Sequence, residues 1–506
     1  MKTLYRASLV HTLAYPQTGD WILIDDRHVQ RVGSGDPPDA DRVVELPGAT
    51  VVPGFIDTHV HLTGTGMALA NADVEAAGSA NALLDIARSR AASAEGVGPI
   101  VLRGFDETRW TDPSHPGIDL LDEACELPLV IHRADGHVAL ANSAALVASG
   151  LASDEDGVER DGAGRPTGRV VGEAVARLER WAASTLDDRA IQELQLQAAA
   201  LGASRGVTTI HEMSMPHWLG LRDLQVFLGH RERLPLDAMP LVATMDIPQI
   251  MDLGLPAIGG DLPVDGSIGA RTAAVMAPFA GGRGSGACYH EEDELAAFFR
   301  AGHLAGLQVG VHAIGDRAID QVLGVWERVY HALDSRERRH FRARRHRIEH
   351  FEMAGPAEVE RAAMLGLAVS VQPSFDRLWG GHGGLYESAL GPDRARAMNP
   401  FRTMLERGIE VGAGSDTPVT PFDPMLSIAA CESHHDPAQR LSRFEAIRLH
   451  TVGSARVGHQ EEKKGGLAPG MHADFAVFDA DLLTADTVEG SRPILTVSLG
   501  REVFAA

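Results

Sequence analysis

His59 and His61 stand one residue apart at the end of the apolar run VVPGFIDTHVHL, residues 51–62. On a strand, residues i and i+2 share a face, so both imidazoles point the same way. Neutral imidazoles facing one way suit a shared divalent metal ion, and a carboxylate such as Asp416 would add an oxygen ligand. Other short apolar runs also end on ionisable or polar residues: His132, Arg133, Asp135 and His137 in LPLVIHRADGH, His211 in GVTTIHEM, His312 in LQVGVHAIGD, His350 in HRIEHFEM, Gln372 in LAVSVQPSF and Asp416 in IEVGAGSD. One histidine at one strand end is ordinarily a hydrogen-bonded structural group. Several reverse that expectation, because in a parallel barrel the C-terminal strand ends share one rim, where catalytic residues gather.

The elements that must position these residues are legible in outline. The middle of the chain repeats a helix-then-strand texture. EEDELAAFFRAGHLAGLQVGVHAIGD carries a helical period through Leu295, Phe298 and Phe299 and then a short strand ending at His312. In DRAIDQVLGVWERVYHAL, Ile319, Val322, Trp326, Val329 and Leu333 fall on one helical face. Near-continuous apolar runs between helices indicate buried parallel strands. The strand candidates outnumber eight, so some belong to insertions. Residues 213–290, punctuated by proline and glycine, read as one insertion region. Both chain ends alternate short β-rich runs with turns.

At 506 residues the chain can hold one (β/α)₈ barrel with additions. A formal charge of −23 argues against nucleic acid or an anionic membrane as partner. The run RERRHFRARRHR at 336–347 reads as a solvated helix face, and ESHHD at 432–436 as a weaker candidate for a loop metal site. Three scattered cysteines form no disulfide framework, and no run is long and apolar enough for a membrane span or a leader. A cytoplasmic setting is expected.

With PGFIDTHVH, VHAIGD, RIEH and GSDTP, and the closing GGLAPGMHADFAVFD, nearly the whole chain resembles the amidohydrolase superfamily. RGFDETRW, HRADGHVALANSAAL, GRPTGRVVGEA, VDGSIGARTA and HAIGDRAID narrow the likeness to the branch containing N-substituted formamide deformylases. That resemblance implies an α/β protein, a (β/α)₈ TIM barrel with a small β-sandwich domain formed by both termini. The expected boundaries are 1–52 plus 465–506 for the sandwich and 53–464 for the barrel, with insertions at about 62–100 and 213–290. It also implies one or two divalent ions, usually Zn²⁺, on His59, His61, His312, His350 and Asp416, and hydrolysis of a C–N bond. A small-molecule substrate and paired subunits are expected.

One departure stands out. Where the branch usually carries a lysine whose carboxylated form bridges two metals, this chain has Asp261, in GGDLPVDGSIGARTA. Lysine occurs only at 2, 463 and 464, so no carbamate bridge can form in the barrel. Two outcomes stay open. Asp261, or alternatively Glu173 in TGRVVGEA, supplies a shorter bridging carboxylate; or a single ion is held, leaving His350 to position water or the substrate oxygen. In either case Asp416 is the expected general base and acid, and Asp57 the acceptor that orients a ligand histidine. Substrate recognition is expected from Trp110, Arg133, Asp135, His137 and Arg271. The rival readings are a lactone or ester hydrolase or a lyase on the same metal site, and a metal-binding protein without turnover.

Overall fold

The computed structural model describes residues 1–15, 17–93, 98–107, 110–133, 138–282 and 284–506. The chain divides into two compact units, Met1–Leu62 with Ala198–Pro216 and His230–Ala506, and Thr63–Gln197 with His217–Gly229.

The first unit contains two parallel sheets, of three and five strands. Phe55–Val60 lies beside Val207–Ser214, which pairs in parallel with Asp237–Val242. The five-stranded sheet runs Ala257–Ile258, Gln308–Ala313, Arg347–His350, Ala368–Val371 and Glu410–Ala413, each parallel to the next. Both seams between the sheets are tied. The Gly259 N–H donates to the Val242 carbonyl at 2.8 Å, and a parallel bridge joins Val60 to Thr417.

Why these segments are strands follows from their burial. Every residue of Phe55–Val60 and of Val207–Ser214 is buried, as expected for parallel strands covered on both faces. Helices supply part of that cover. Asp316–Ala332 buries Ile319, Val322, Trp326 and Val329, the face its sequence period marks.

The two chain ends meet in one seven-stranded sheet of the same unit. Its order is Arg501–Ala505, Leu495–Ser498, Phe475–Phe478, Arg42–Pro53, Lys2–His11, Thr18–Asp25 and His28–Gly33. Lys2–His11 and Arg42–Pro53 pair in parallel, and Tyr5, Val10, Ile22, Val51, Phe475 and Val497 form its core.

The second unit has its own six-stranded sheet, in the order Val158–Arg160, Pro166–Val171, Val138–Ala141, Leu129–Arg133, Ile100–Phe105 and Ala72–Asp73. Leu83, Leu102, Phe105, Leu121 and Leu129 pack beneath it. Two apolar runs that resemble barrel strands, GPIVLRGF and LPLVIHR, therefore belong here, and this unit extends far beyond the expected insertion at 62–100. The expected insertion at 213–290 is corrected more sharply. Only 217–229 of it joins the second unit, while the rest contributes Asp237–Val242 and Ala257–Ile258 to the parallel sheets. A two-residue strand is too short to show any period.

Among the described residues, no helix is long and apolar enough to cross a membrane.

Candidate metal centre

Four histidines at strand ends of the first unit are each held by one ring nitrogen. His59 Nδ1–H donates to Glu349 Oε2 at 3.0 Å, and His61 Nδ1–H to the Met213 carbonyl at 3.1 Å. His350 Nδ1–H donates to Gln372 Oε1 at 2.7 Å, and His312 Nε2–H to the Gly266 carbonyl at 3.3 Å. The acceptor in each case is an oxygen without a proton, and a neutral ring with its hydrogen on that nitrogen turns the lone pair of the other inward.

Those second nitrogens converge on two carboxylates. Asp261 Oδ1 lies 3.1 Å from His312 Nδ1, 3.3 Å from His350 Nε2 and 3.7 Å from His59 Nε2, while its Oδ2 is 3.5 Å from His61 Nε2. Asp416 Oδ1 is 3.2 Å from His61 Nε2 and 3.5 Å from His59 Nε2. Three overlapping ligand triads result: His59, His350 and Asp416; His59, His61 and Asp261; Asp261, His312 and His350. His59 Nε2 and Asp416 Oδ1 are buried and make no hydrogen bond among the described residues. Lone pairs facing carboxylate oxygens in a buried site repel unless positive charge stands between them. A divalent cation fits this donor set of imidazole nitrogens and carboxylate oxygens.

The electrostatics say the same. Burial opposes a proton on His59, but Asp416 and Asp261 outweigh it and hold the ring well above its ordinary range. His312 is pushed up to about 9 against burial by Asp261 and Asp265. Burial also opposes charge on Asp261, yet His59, His312 and His350 hold it well below the usual carboxylate range. Asp416 is lowered in the same way by His59 and His61. His350 moves down, through burial and the neighbouring His312. The cluster demands positive charge, as protons or as a cation.

Local backbone explains how a side chain as short as aspartate reaches the cluster. Gly259 and Gly260 both adopt positive φ, +88° and +59°. A Cβ on Gly259 would meet the Gly310 carbonyl oxygen at 2.1 Å, so only glycine lets the chain press this close to the neighbouring strand. The following segment then pairs with that strand: His312 N–H donates to the Leu262 carbonyl and Val264 N–H to the His312 carbonyl, both at 3.0 Å. His350 and Asp416 are themselves left-handed, φ +71° and +56°. Such non-glycine residues cost on the order of 1–3 kcal/mol each and cluster at functional sites.

A buried layer behind the histidines was not anticipated. Arg347 and Glu349 are fully buried, and Arg347 Nη2 donates to Glu349 Oε2 at 2.9 Å and to the Thr58 carbonyl at 3.0 Å. Glu349 therefore holds the His59 ring. The sequence carried one signal for it: two opposite charges at i and i+2 within RIEH, on one face of an otherwise apolar strand. Asp57, expected to orient a ring, instead accepts backbone N–H groups from His59 at 3.1 Å and Ser415 at 3.0 Å. Burial pushes its carboxyl up to about 6. It fixes the backbone of two strand ends rather than an imidazole.

Arg271 lies on the loop after Asp265, with φ +58°. In the second unit, Trp110 is buried in the apolar core and its indole N–H donates to the Ala77 carbonyl at 2.6 Å. Arg133 Nε donates to Glu107 Oε2 at 2.8 Å. Glu173 is exposed and accepts from Arg180 at 2.7 Å, and the described ligand triads do not include it. Asp135 and His137 lie outside the described residues. A separate group, Asp376, His434 and His435, also has ligand spacing. Both nitrogens of His434 are already engaged there: Nε2–H donates to the Asn399 carbonyl at 3.0 Å, and Nδ1 accepts from Asp436 N–H at 3.0 Å. That group locks a turn.

A strand-end cluster of histidines and aspartates on a mixed α/β framework defines a class of metal-site proteins, and comparison places the chain within it. Residues 42–504 match the model of the amidohydrolase family, and the chain belongs to that family. It is 27% identical to the putative amidohydrolase YtcJ of Bacillus subtilis (strain 168), over 97% of this chain and 96% of that protein. It is 25% identical to N-substituted formamide deformylase of Arthrobacter pascens, over 89% and 87%. Among solved structures, an uncharacterized metal-dependent hydrolase from Pyrococcus furiosus superposes with TM-score 0.80 at 25% identity, covering 96% of this chain and all of that one. Its counterpart from Pyrococcus horikoshii gives 0.81 at 24% identity and shows the shared fold.

Proposed function

We propose that this chain is a metal-dependent hydrolase of a non-peptide C–N bond, an amide, N-formyl, N-acyl or cyclic amide, with its site at one rim of a (β/α)₈ barrel. The eight parallel strands, tied at both seams, support the barrel, and the terminal sheet is read as the accompanying β-sandwich. The observation that carries the reading is the convergence of four imidazole ring nitrogens on Asp261 and Asp416.

Asp261 faces His312, His350 and His59 with Oδ1 and His61 with Oδ2, so its carboxylate would be available to more than one cation. His59, His61 and Asp416 would hold one ion, and His312 and His350 the other, with zinc the expected metal. When bound, such ions supply Lewis acidity, acidifying water and polarising a carbonyl group. Asp416 accepts the proton of the attacking water on a carboxylate oxygen and returns it to the departing nitrogen. Its left-handed backbone and the Asp416 N–H bond to the His59 carbonyl at 2.8 Å hold that carboxylate at the cluster. Glu349 and Gln372 keep His59 and His350 in the tautomers that turn their lone pairs inward.

The test is elemental analysis of the purified protein, followed by assay of N-formyl and N-acyl amines against matched esters. Bound divalent metal with amide turnover supports the proposal. Metal with ester turnover alone selects the esterase or lactonase reading, and metal with no turnover of either class leaves a binding protein. Protein that takes up no divalent ion on titration refutes the site.

A further inference from the structure

The loop 265–272 carries a guanidinium without a partner among the described residues. Arg271 makes no side-chain hydrogen bond or ion pair with any described residue, and its Nη1 is buried. Arg344, on the short helix Phe341–Arg344, shares that condition, with its Nε buried and unbonded, whereas several other partly buried arginines of this unit are paired. Arg345 pairs with Glu461 at 2.6 Å, Arg361 with Glu327 at 2.7 Å, and Arg443 with Glu432 at 2.7 Å. Arg317, on the helix after His312, donates to the Ser285 and Gly286 carbonyls. A buried charged donor left unpaired is destabilising, and such a group makes physical sense as one kept for a ligand.

The loop's attachments set its backbone beside the cluster. Gly266, near its start, accepts the hydrogen bond from His312. The turn is closed by Ser267 N–H to Thr272 Oγ1 and Arg271 N–H to the Ile268 carbonyl, both at 3.1 Å. Ile268 is buried in one apolar cluster with Phe375 and Tyr386. The Phe375 ring lies nearly parallel to His350, at a centroid distance of 6.0 Å, and Trp379 packs on Phe375 at 4.5 Å. The loop thus runs from one cluster histidine to the aromatic wall beside another, and Arg271 is only partly covered.

Resting on the hydrolase reading above, we propose that Arg271 anchors a carboxylate of the substrate, so that the enzyme acts on N-acylated amino acids or comparable acids in preference to neutral amides. A planar guanidinium takes a carboxylate through two parallel hydrogen bonds, which fixes orientation as well as charge. The Trp379 ring, partly exposed on the buried Phe375, offers an apolar surface for the side chain of such an acid.

The probe pair is N-formyl-phenylalanine and its neutral carboxamide, measured by calorimetry on the full-length protein and, separately, for turnover. The acid is expected to bind at least about tenfold more tightly than the carboxamide. Arg271→Gln should remove that preference, and Arg271→Lys, which keeps the charge without the fork, should restore only part of it. Because Arg271 has no partner among the described residues, the thermal midpoint of Arg271→Gln should equal or exceed that of the wild type. Equal binding of acid and carboxamide by the wild type, no binding of the acid, a preference that survives Arg271→Gln, or a lowered midpoint in that variant would each overturn the proposal. Failure of the hydrolase reading shows differently, as no turnover of either compound while the calorimetric comparison still decides the role of Arg271.

Discussion

Replacing Glu349 by glutamine removes one negative charge from a site where every neighbour depends on it. Glu349 is fully buried, accepts from His59 at 3.0 Å, and faces the fully buried Arg347 at 2.9 Å. Breaking a buried ion pair from one side costs about 3–5 kcal/mol, because the remaining charge is stranded. The same change loosens the ring of a proposed ligand, and loss of such an outer partner lowers metal affinity about 10–100-fold. Two measurements follow: chemical unfolding of chelator-treated protein, and competition for the metal against a chromophoric chelator. The pH dependence carries a sign. Burial opposes the charge, but Arg347 and His59 lower the Glu349 carboxyl from 4.5 to about 2. Its stabilisation is therefore fully present above the unfolded value and is lost as pH falls through the folded one. The deficit of Glu349→Gln should be complete at neutral pH and shrink between 4.5 and about 2. An Arg347→Met, Glu349→Leu double variant should lose less stability than Glu349→Gln alone. Unchanged metal affinity and unchanged stability in Glu349→Gln would refute the claim that this pair supports His59.

Asp416→Asn should lower kcat by about 10²–10⁴-fold while the folded state persists, measured by turnover and circular dichroism on the same sample. Asp261→Ala should reduce the metal stoichiometry from two ions to one, read by elemental analysis after dialysis. In chelator-treated protein His312 contributes stability that is full below 6.5 and lost as pH rises through about 9, because its folded pKa lies above the unfolded one. His312→Asn should flatten that part of the stability profile.

The sequence determined much about this protein by itself. The spacing of His59 and His61 declares one shared face, and His312, His350 and Asp416 at strand ends declare a rim, because strand periodicity and parallel packing are local rules. The helical face of Ile319, Val322, Trp326 and Val329 was equally legible. Tertiary structure alone decided the rest. GPIVLRGF and LPLVIHR look like the strands of the parallel sheets yet pair within another unit, since apolar runs do not name their partners. Asp261 reaches the cluster only because Gly259 and Gly260 press the chain against Gly310, a contact between residues fifty positions apart. Arg347 and Glu349 read as ordinary charges until burial on both faces makes each depend on the other, and Asp57 serves backbone N–H groups of two distant strand ends rather than a ring. Local pattern sets what a residue can do, while long-range burial and close approach set what it is next to.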